Sequence, residues 1–399
     1  MNKLLLVLGA GRLNIPALKE MSKVARIVAV DKCPHEHINS PELRIFQCDF
    51  SDNEKLLNFV INYDFDGVYA MNDHAILPAA IVAKKFNLGS TSFKTSEVLL
   101  DKSMMRSIWN ENKLSQPKYK IVSNLNDAKI AAHEIGYPII VKPSASGGAG
   151  RGVYKINSLE ELNFYFPLVK AECKYLQTML IEQFIEGVES SLEVVFIKKK
   201  ASLLAISSKD KAPGHSQVAT EIVYPAQLSQ DCIKKIFHLA EQAGLSLGIS
   251  DGIGHFEVIS NSYGIPFLIE VGGRAGGGHT FHPIVSHVSG VNYPQLVAHI
   301  YTGNFVEAEK LLAKEIEGNV AIYSFPVTQN KGKIKKISFG ILPNQICIAE
   351  CWKKEGENVD GMNSSMDRLG CFVFLSGKNV TEAVEQSRAI ISSFCLELE

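Results

Sequence analysis

Residues 254–279 read GHFEVISNSYGIPFLIEVGGRAGGGH, and they place Glu257, Glu270 and Arg274 within one short span. His255 to Ile259 and Pro266 to Val271 alternate as two strands do, with Asn261-Ser262-Tyr263-Gly264 as the turn of a hairpin between them. Facing residues of an antiparallel pair stand about 5 Å apart, so Glu257 and Glu270 can share one ligand if the register puts them on one face. Two unpaired carboxylates that close repel each other. A divalent cation relieves the repulsion, and hard oxygen ligands with room for phosphate oxygens are what Mg²⁺ prefers. Arg274 adds a fixed positive fork, and Gly276, Gly277 and Gly278 let backbone N–H groups approach an oxyanion. The same letters also fit a solvated surface hairpin followed by a glycine-rich loop, and the residues upstream must decide between the two.

The whole chain narrows the class. Its 399 residues suffice for two or three domains, and 46% apolar with 21% charged residues is ordinary for a globular protein. A net charge of -1 with interspersed signs argues against nucleic acid or a membrane as partner. The apolar run Leu4 to Leu8 stops at Gly9-Ala10-Gly11, too soon for a signal peptide or a membrane span, which points to a cytoplasmic protein. Eight scattered cysteines, without CxxC and without a neighbouring histidine cluster, are expected to be reduced thiols. Cys347 and Cys351, four apart on a strand-like ICIAECW, are expected to pack on one face.

Read in order, Leu4 to Leu8, a helical stretch and Arg26 to Asp31 make a βαβ unit of a parallel sheet. Asn14 stands where a dinucleotide fingerprint needs its third glycine, which argues against NAD. A further strand, Gly67 to Met71, leads through Asn72-Asp73-His74 into a helix, and this trio either touches a substrate or caps that helix. Lys102 opens the helix of a second domain. Tyr137 to Pro143 is a strand whose single charge is Lys142, and Ser144 to Val153, with Ser146, Gly147, Gly148, Gly150 and Arg151, follows as a glycine-rich loop suited to phosphate. It lacks the P-loop pattern, and by itself it fits a flexible surface turn equally well. Leu180 to Glu189 then ends an apolar strand in acids.

In this order, the two lysines, the glycine loop, the glutamate-bearing strand and the Glu257/Glu270/Arg274 hairpin resemble the ATP-grasp superfamily, most closely its carboxylate-amine ligases near the L-amino acid ligases. The resemblance covers nearly the whole chain. It implies an α/β fold with a parallel-sheet, Rossmann-like pre-ATP-grasp domain over 1–93, an ATP-grasp domain of two α+β lobes over 94–302 with its lid lobe at about 115–188, and a small α+β domain over 303–399. Lys102 and Lys142 would hold ATP phosphates under a loop from Ser146 through Arg151. Glu182, Gln183 and Ile185 would frame adenine, and Glu189 would take the ribose. Glu257 and Glu270 would bind Mg²⁺, with Mn²⁺ as the alternative, and Arg274 would serve catalysis. Gly272 replaces the asparagine that many members carry two residues after the second metal acid, which leaves one metal's coordination open. The segment Lys209 to Ser216 with Thr220-Glu221 lies where related ligases contact substrate, and Ser364 to Gly370 reads as structural. The implied activity joins a carboxylate to an amine through an acyl-phosphate, with small-molecule partners and a homodimer as an expected assembly. Phosphoribosylamine-glycine ligase and biotin-carboxylase-like activities are the alternatives within the class, and a non-catalytic ATP-binding module is the alternative outside it.

Overall fold

Leu4–Leu8 is buried at all five positions because it runs through the interior of a parallel sheet ordered 43–47, 26–31, 4–8, 67–70. Leu5 and Val7 enter one core cluster and Leu4, Leu6 and Leu8 another, so the strand feeds both faces of the sheet. The computed structural model describes residues 3–145, 150–173, 176–212, 215–314, 318–362, 364–377 and 379–399. Asn72 caps the helix Asp73–Phe86 by accepting from the Ala75 N–H, which fixes Asp73 at the carboxyl edge of this sheet.

A second, antiparallel sheet is ordered Tyr119–Val122, Met179–Gln183, Ile139–Pro143, Tyr154–Ile156. Helices Leu125–Ile135 and Leu159–Glu172 lie against it, and Ala128, Ala132, Leu162 and Val169 share its core cluster with Ile139, Val141 and Ile181. The third sheet is the framework of the site. Its eight antiparallel strands run in the order 266–272, 252–260, 188–197, 200–212, 215–224, 320–324, 370–376, 346–351. On one face Phe256, Val258, Leu192, Val194 and Ile206 pack against helix Gln230–Ser246. The alternate residues His255, Glu257, Glu193, Ser191, Glu189, Ser207 and Lys209 therefore share the opposite face.

This sheet takes strands from both sides of residue 302, because Val320–Ser324 pairs with Glu221–Tyr224. A small sheet, 358–360, 331–338 and 395–398, completes the carboxyl-terminal part. Cys347 and Cys351 are both exposed, contrary to the packing expected of them, while Ile346 and Ile348 are partly buried against two different core clusters on either side of a register shift. Among the described residues no helix is long and apolar enough to cross a membrane.

Candidate active site

The hairpin is Gly252–Ser260 paired with Pro266–Gly272, and Glu257 lies directly opposite Glu270. Each carboxylate is met by an ammonium from another element. Lys102, first residue of helix Lys102–Glu111, reaches Glu270 at 3.2 Å, and Lys209 reaches Glu257 at 2.6 Å. Burial would raise the Glu270 carboxyl, but Lys102, Lys142 and Arg274 together hold it at about 2. Lys209 also bonds Glu189 at 2.6 Å, and Lys211 bonds the other Glu189 oxygen at 2.5 Å. Burial opposes ionisation of Glu189 as well, and these two lysines bring its carboxyl to about 2.

Against the outer strand of the hairpin stands a second cluster, nearly closed to solvent. Glu182 is 2% exposed and is gripped by Lys142 at 2.9 Å and by the Arg106 Nε at 2.7 Å. Arg106 is wholly buried, and its two Nη atoms donate to the backbone oxygens of Leu268 and Ile269 at 3.0 and 2.9 Å. One guanidinium thus ties the second sheet to the outer strand of the hairpin. Desolvation raises the Glu182 carboxyl, Arg106 and Lys142 outweigh it, and the group settles at about 2. Burial lowers the Lys142 ammonium.

Arg274 is held by Asp73, with Nε and Nη2 each donating to a carboxylate oxygen at 2.9 Å, and its Nη1 donates to the Ala275 oxygen at 3.0 Å. A guanidinium has five N–H hydrogens, so one on Nη1 and one on Nη2 are left without a protein partner among the described residues. Burial opposes the Asp73 charge, yet Arg274 keeps its carboxyl below the ordinary value. On the sheet strand 188–197, Glu193 is 1% exposed and accepts from the Gly276 N–H at 3.0 Å and the Tyr293 hydroxyl at 2.9 Å, while His255 Nδ1 lies 2.6 Å from it. Only glycine fits at 276, because a Cβ there would stand 2.5 Å from the Glu193 carboxylate.

Lys102, Lys142, Gly150, Glu182, Gln183, Ile185, Glu189, Glu257 and Glu270 line one cavity of about 1080 Å³. Arg274 and Arg151 are not among its lining residues, and Ser146, Gly147 and Gly148 lie outside the described residues. Sequence reasoning missed Arg106, His255 and Glu193 as members of the site, and it placed Lys209 and Lys211 only within a segment expected near substrate, with no role for either. The i, i+4 spacing of Lys102 and Arg106 on one helix face was a usable signal. Alternation along the strands places His255 with Glu257, and Glu193 with Ser191, on one sheet face. Arg368, read as structural, lines the cavity too; it stacks 3.7 Å from the Phe325 ring centre and donates to the Ala219 oxygen at 2.7 Å. The fold also draws His279, Glu350 and Cys371 together within 4.8 Å, a cluster invisible in the sequence, although Arg12 and Trp352 already hold Glu350 at 2.9 Å each.

Residues 135–282 match the family model described as ATP-grasp domain. The chain carries an ATP-grasp domain. Beyond it, D-alanine–D-alanine ligase of Acidovorax ebreus is 27% identical over 221 residues, 53% of this chain and 65% of that protein. Alanine–anticapsin ligase of Bacillus subtilis is 25% identical over 282 residues, 66% of this chain and 58% of that protein. The chain thus spans less than two thirds of the length of the curated relatives it matches. The L-amino acid ligase of Bacillus licheniformis superposes over 100% of this chain and 99% of its own with TM-score 0.83 at 22% identity, which shows a shared fold. Phosphoribosylglycinamide synthetase of Anaerococcus prevotii covers 100% of both chains with TM-score 0.75 at 20% identity. The ATP-grasp match at 135–282 spans Gly150, the Glu182 strand and both Glu257 and Glu270 of the cavity.

Proposed function

We propose that the protein is an ATP-dependent carboxylate–amine ligase. A carboxylate takes the γ-phosphoryl group of ATP, and an amine then displaces phosphate from the acyl-phosphate, giving an amide, ADP and phosphate. The observation that carries this reading is the in-register Glu257–Glu270 pair, opening with Lys102, Lys142 and Lys209 on one cavity. Lys102 and Lys209, which now neutralise these acids, have the charge and reach to hold phosphate oxygens instead. The relatives' names support the class, since one is a D-alanine–D-alanine ligase and the other an alanine–anticapsin ligase.

Glu257 and Glu270 fit Mg²⁺ or Mn²⁺ as hard oxygen donors, and Glu270 is held ionised; the ion would offset charge on the phosphates. Lys102 and Lys142 would grip the phosphate chain beneath the loop from Ser146 to Arg151. Gln183 and Ile185, with Phe184 and Ile140 on the same cavity wall, would enclose adenine, and Glu182 would anchor Lys142. Glu189 would receive the ribose, and Arg274, aimed by Asp73, would stabilise charge in the transition state. Positioning and charge neutralisation are the whole of the protein's share in phosphoryl transfer. Division of the chain near residues 93 and 302, a cytoplasmic location, small-molecule substrates and a homodimer belong to the same proposal.

The test is a panel of carboxylates and amines assayed for nucleotide products, with hydroxylamine in place of the amine as a trap. ADP, phosphate and a hydroxamate are expected together. AMP with pyrophosphate would replace the acyl-phosphate by an adenylate. Nucleotide binding without hydrolysis on any carboxylate would leave only a binding module.

A further inference from the structure

We infer that Arg368 anchors a substrate carboxylate distinct from the one that is activated. This inference rests on the ligase reading above and adds to it a residue that selects the substrate. Charge, geometry and place each support it.

Arg12, Arg106 and Arg274 each meet a carboxylate, in Glu350, Glu182 and Asp73 respectively. Arg368 is partly buried, yet it forms no ion pair with any described residue. Burial works against its charge, and only the Tyr323 hydroxyl and the Cys371 thiol act the other way. A cation kept from water without a counter-ion is destabilising, and an anion that enters the cavity relieves it. Lys353 and Lys354 line the same cavity, whereas its acidic lining residues are those already assigned to nucleotide and metal.

The guanidinium is also set in a fixed pose. Nε and Nη2 both donate to the Ala219 oxygen, at 3.2 and 2.7 Å, which occupies one side edge of the fork. The end edge, with one N–H on each Nη, has no partner among the described residues, and two parallel N–H bonds there match the two oxygens of a carboxylate. The Phe325 ring lies 3.7 Å from the guanidinium carbon, and Tyr323 packs on Phe325 with ring centres 4.3 Å apart. Plane and edge are therefore held before a ligand arrives, so little freedom is lost on binding.

Place decides which carboxylate this is. Ala219 lies on strand 215–224 and Glu257 on strand 252–260, with 188–197 and 200–212 between them. Three strand spacings of about 4.8 Å put roughly 14 Å between the two strands. A carboxylate that is phosphorylated beside the metal acids is thus beyond the reach of Arg368. The phosphate chain runs away from it too, from a ribose at Glu189 on strand 188–197 toward the hairpin. What remains for Arg368 is a further carboxylate, carried by the amine or by the far end of the activated acid.

The experiment sets each amine of the panel against its carboxamide, L-alanine against L-alaninamide being the simplest pair. Each acid is likewise set against the form with its distal carboxylate amidated, as L-glutamate against L-glutamine. In the wild type one of the two kinds of pair should show kcat/KM about 10- to 100-fold lower for the neutral member, what a charge-assisted pair contributes, and chiefly through KM. A loss on the amine assigns the carboxylate to the amine, and a loss on the acid assigns it to the acid. Arg368→Met should bring that ratio close to 1, and Arg368→Lys, which keeps the charge without the fork, should fall between; Arg368→Lys carries the comparison if Arg368→Met does not fold. A residue that only braces Ala219 and Phe325 would lower both members of a pair alike and leave the ratio as in the wild type, which would overturn the assignment. So would a wild type indifferent to every pair. Thermal melts with the same pairs need no turnover: the charged member should raise the wild-type midpoint, its neutral counterpart should not, and Arg368→Met should lose the shift. A shift retained in that variant also overturns the assignment. Failure of the ligase reading is separately visible, as absence of ADP from the wild type with every acid and amine.

Discussion

Two acid–lysine clusters stand on adjoining parts of this molecule, and their difference lies in solvent. Glu182 with Lys142 and Arg106 is shut away, its partners 5% and 0% exposed, whereas Glu270 keeps 33% and Glu257 24% of their side-chain surface. A buried charge that loses its partner has no water to turn to, so the sealed cluster must stay paired and acts as a fixed joint. The open pair can exchange its lysines for a cation and a phosphate chain, because water carries the charge during the exchange. The same three residue types thus make a hinge pin in one place and a candidate binding site in the other.

The contrast breaks first at Glu270. Glu270→Gln keeps the shape and removes a ligand's charge, so ATP-dependent product formation should fall roughly 10³-fold or more while the melting curve is retained. Near-normal turnover in the folded variant would end the metal-acid reading. Arg106→Met should do the reverse: removal of the guanidinium leaves Glu182 under-paired and two backbone oxygens unmet, at a cost of about 3–5 kcal/mol in denaturant unfolding. If it unfolds at the wild-type midpoint, Glu182 is not sealed in solution.

Asp73→Asn should leave the fold intact and lower kcat by about 10–100-fold, as loss of an orienting partner does, because Arg274 would no longer be pinned at two points. An unchanged kcat would show that Asp73 only borders the first domain. Lys102→Met should shift stability by no more than about 1 kcal/mol, since Glu270 remains hydrated, yet weaken Mg·ATP binding measured by calorimetry. Smallest at ordinary pH is the titration of the sealed cluster. Folding lowers the Glu182 carboxyl from 4.5 to about 2, so the unfolded chain binds the proton first. The stabilisation is complete above about 4.5 and drains away as pH falls toward about 2, and unfolding midpoints should be insensitive to this group between pH 6 and 8.

The hairpin was legible in the sequence because alternation and a turn are local: Glu257 and Glu270 came out in register, on strands somewhat longer than the alternating letters indicated. The parallel first sheet and the lysine-tipped strand Ile139–Pro143 were readable for the same reason, since unbroken apolar runs and punctuating glycines report on their own neighbourhood. The ordered set of motifs also named the ATP-grasp class, because chemistry fixes which residue types must recur. Tertiary structure alone decided which charges meet. Arg106 reaches Glu182 across 76 positions, Asp73 reaches Arg274 across 201, and Glu193 meets His255 across 62. Nothing in a periodicity encodes such pairings. A carboxylate looks the same in the sequence whether water or a guanidinium neutralises it, and only the burial created by packing three sheets together settles which.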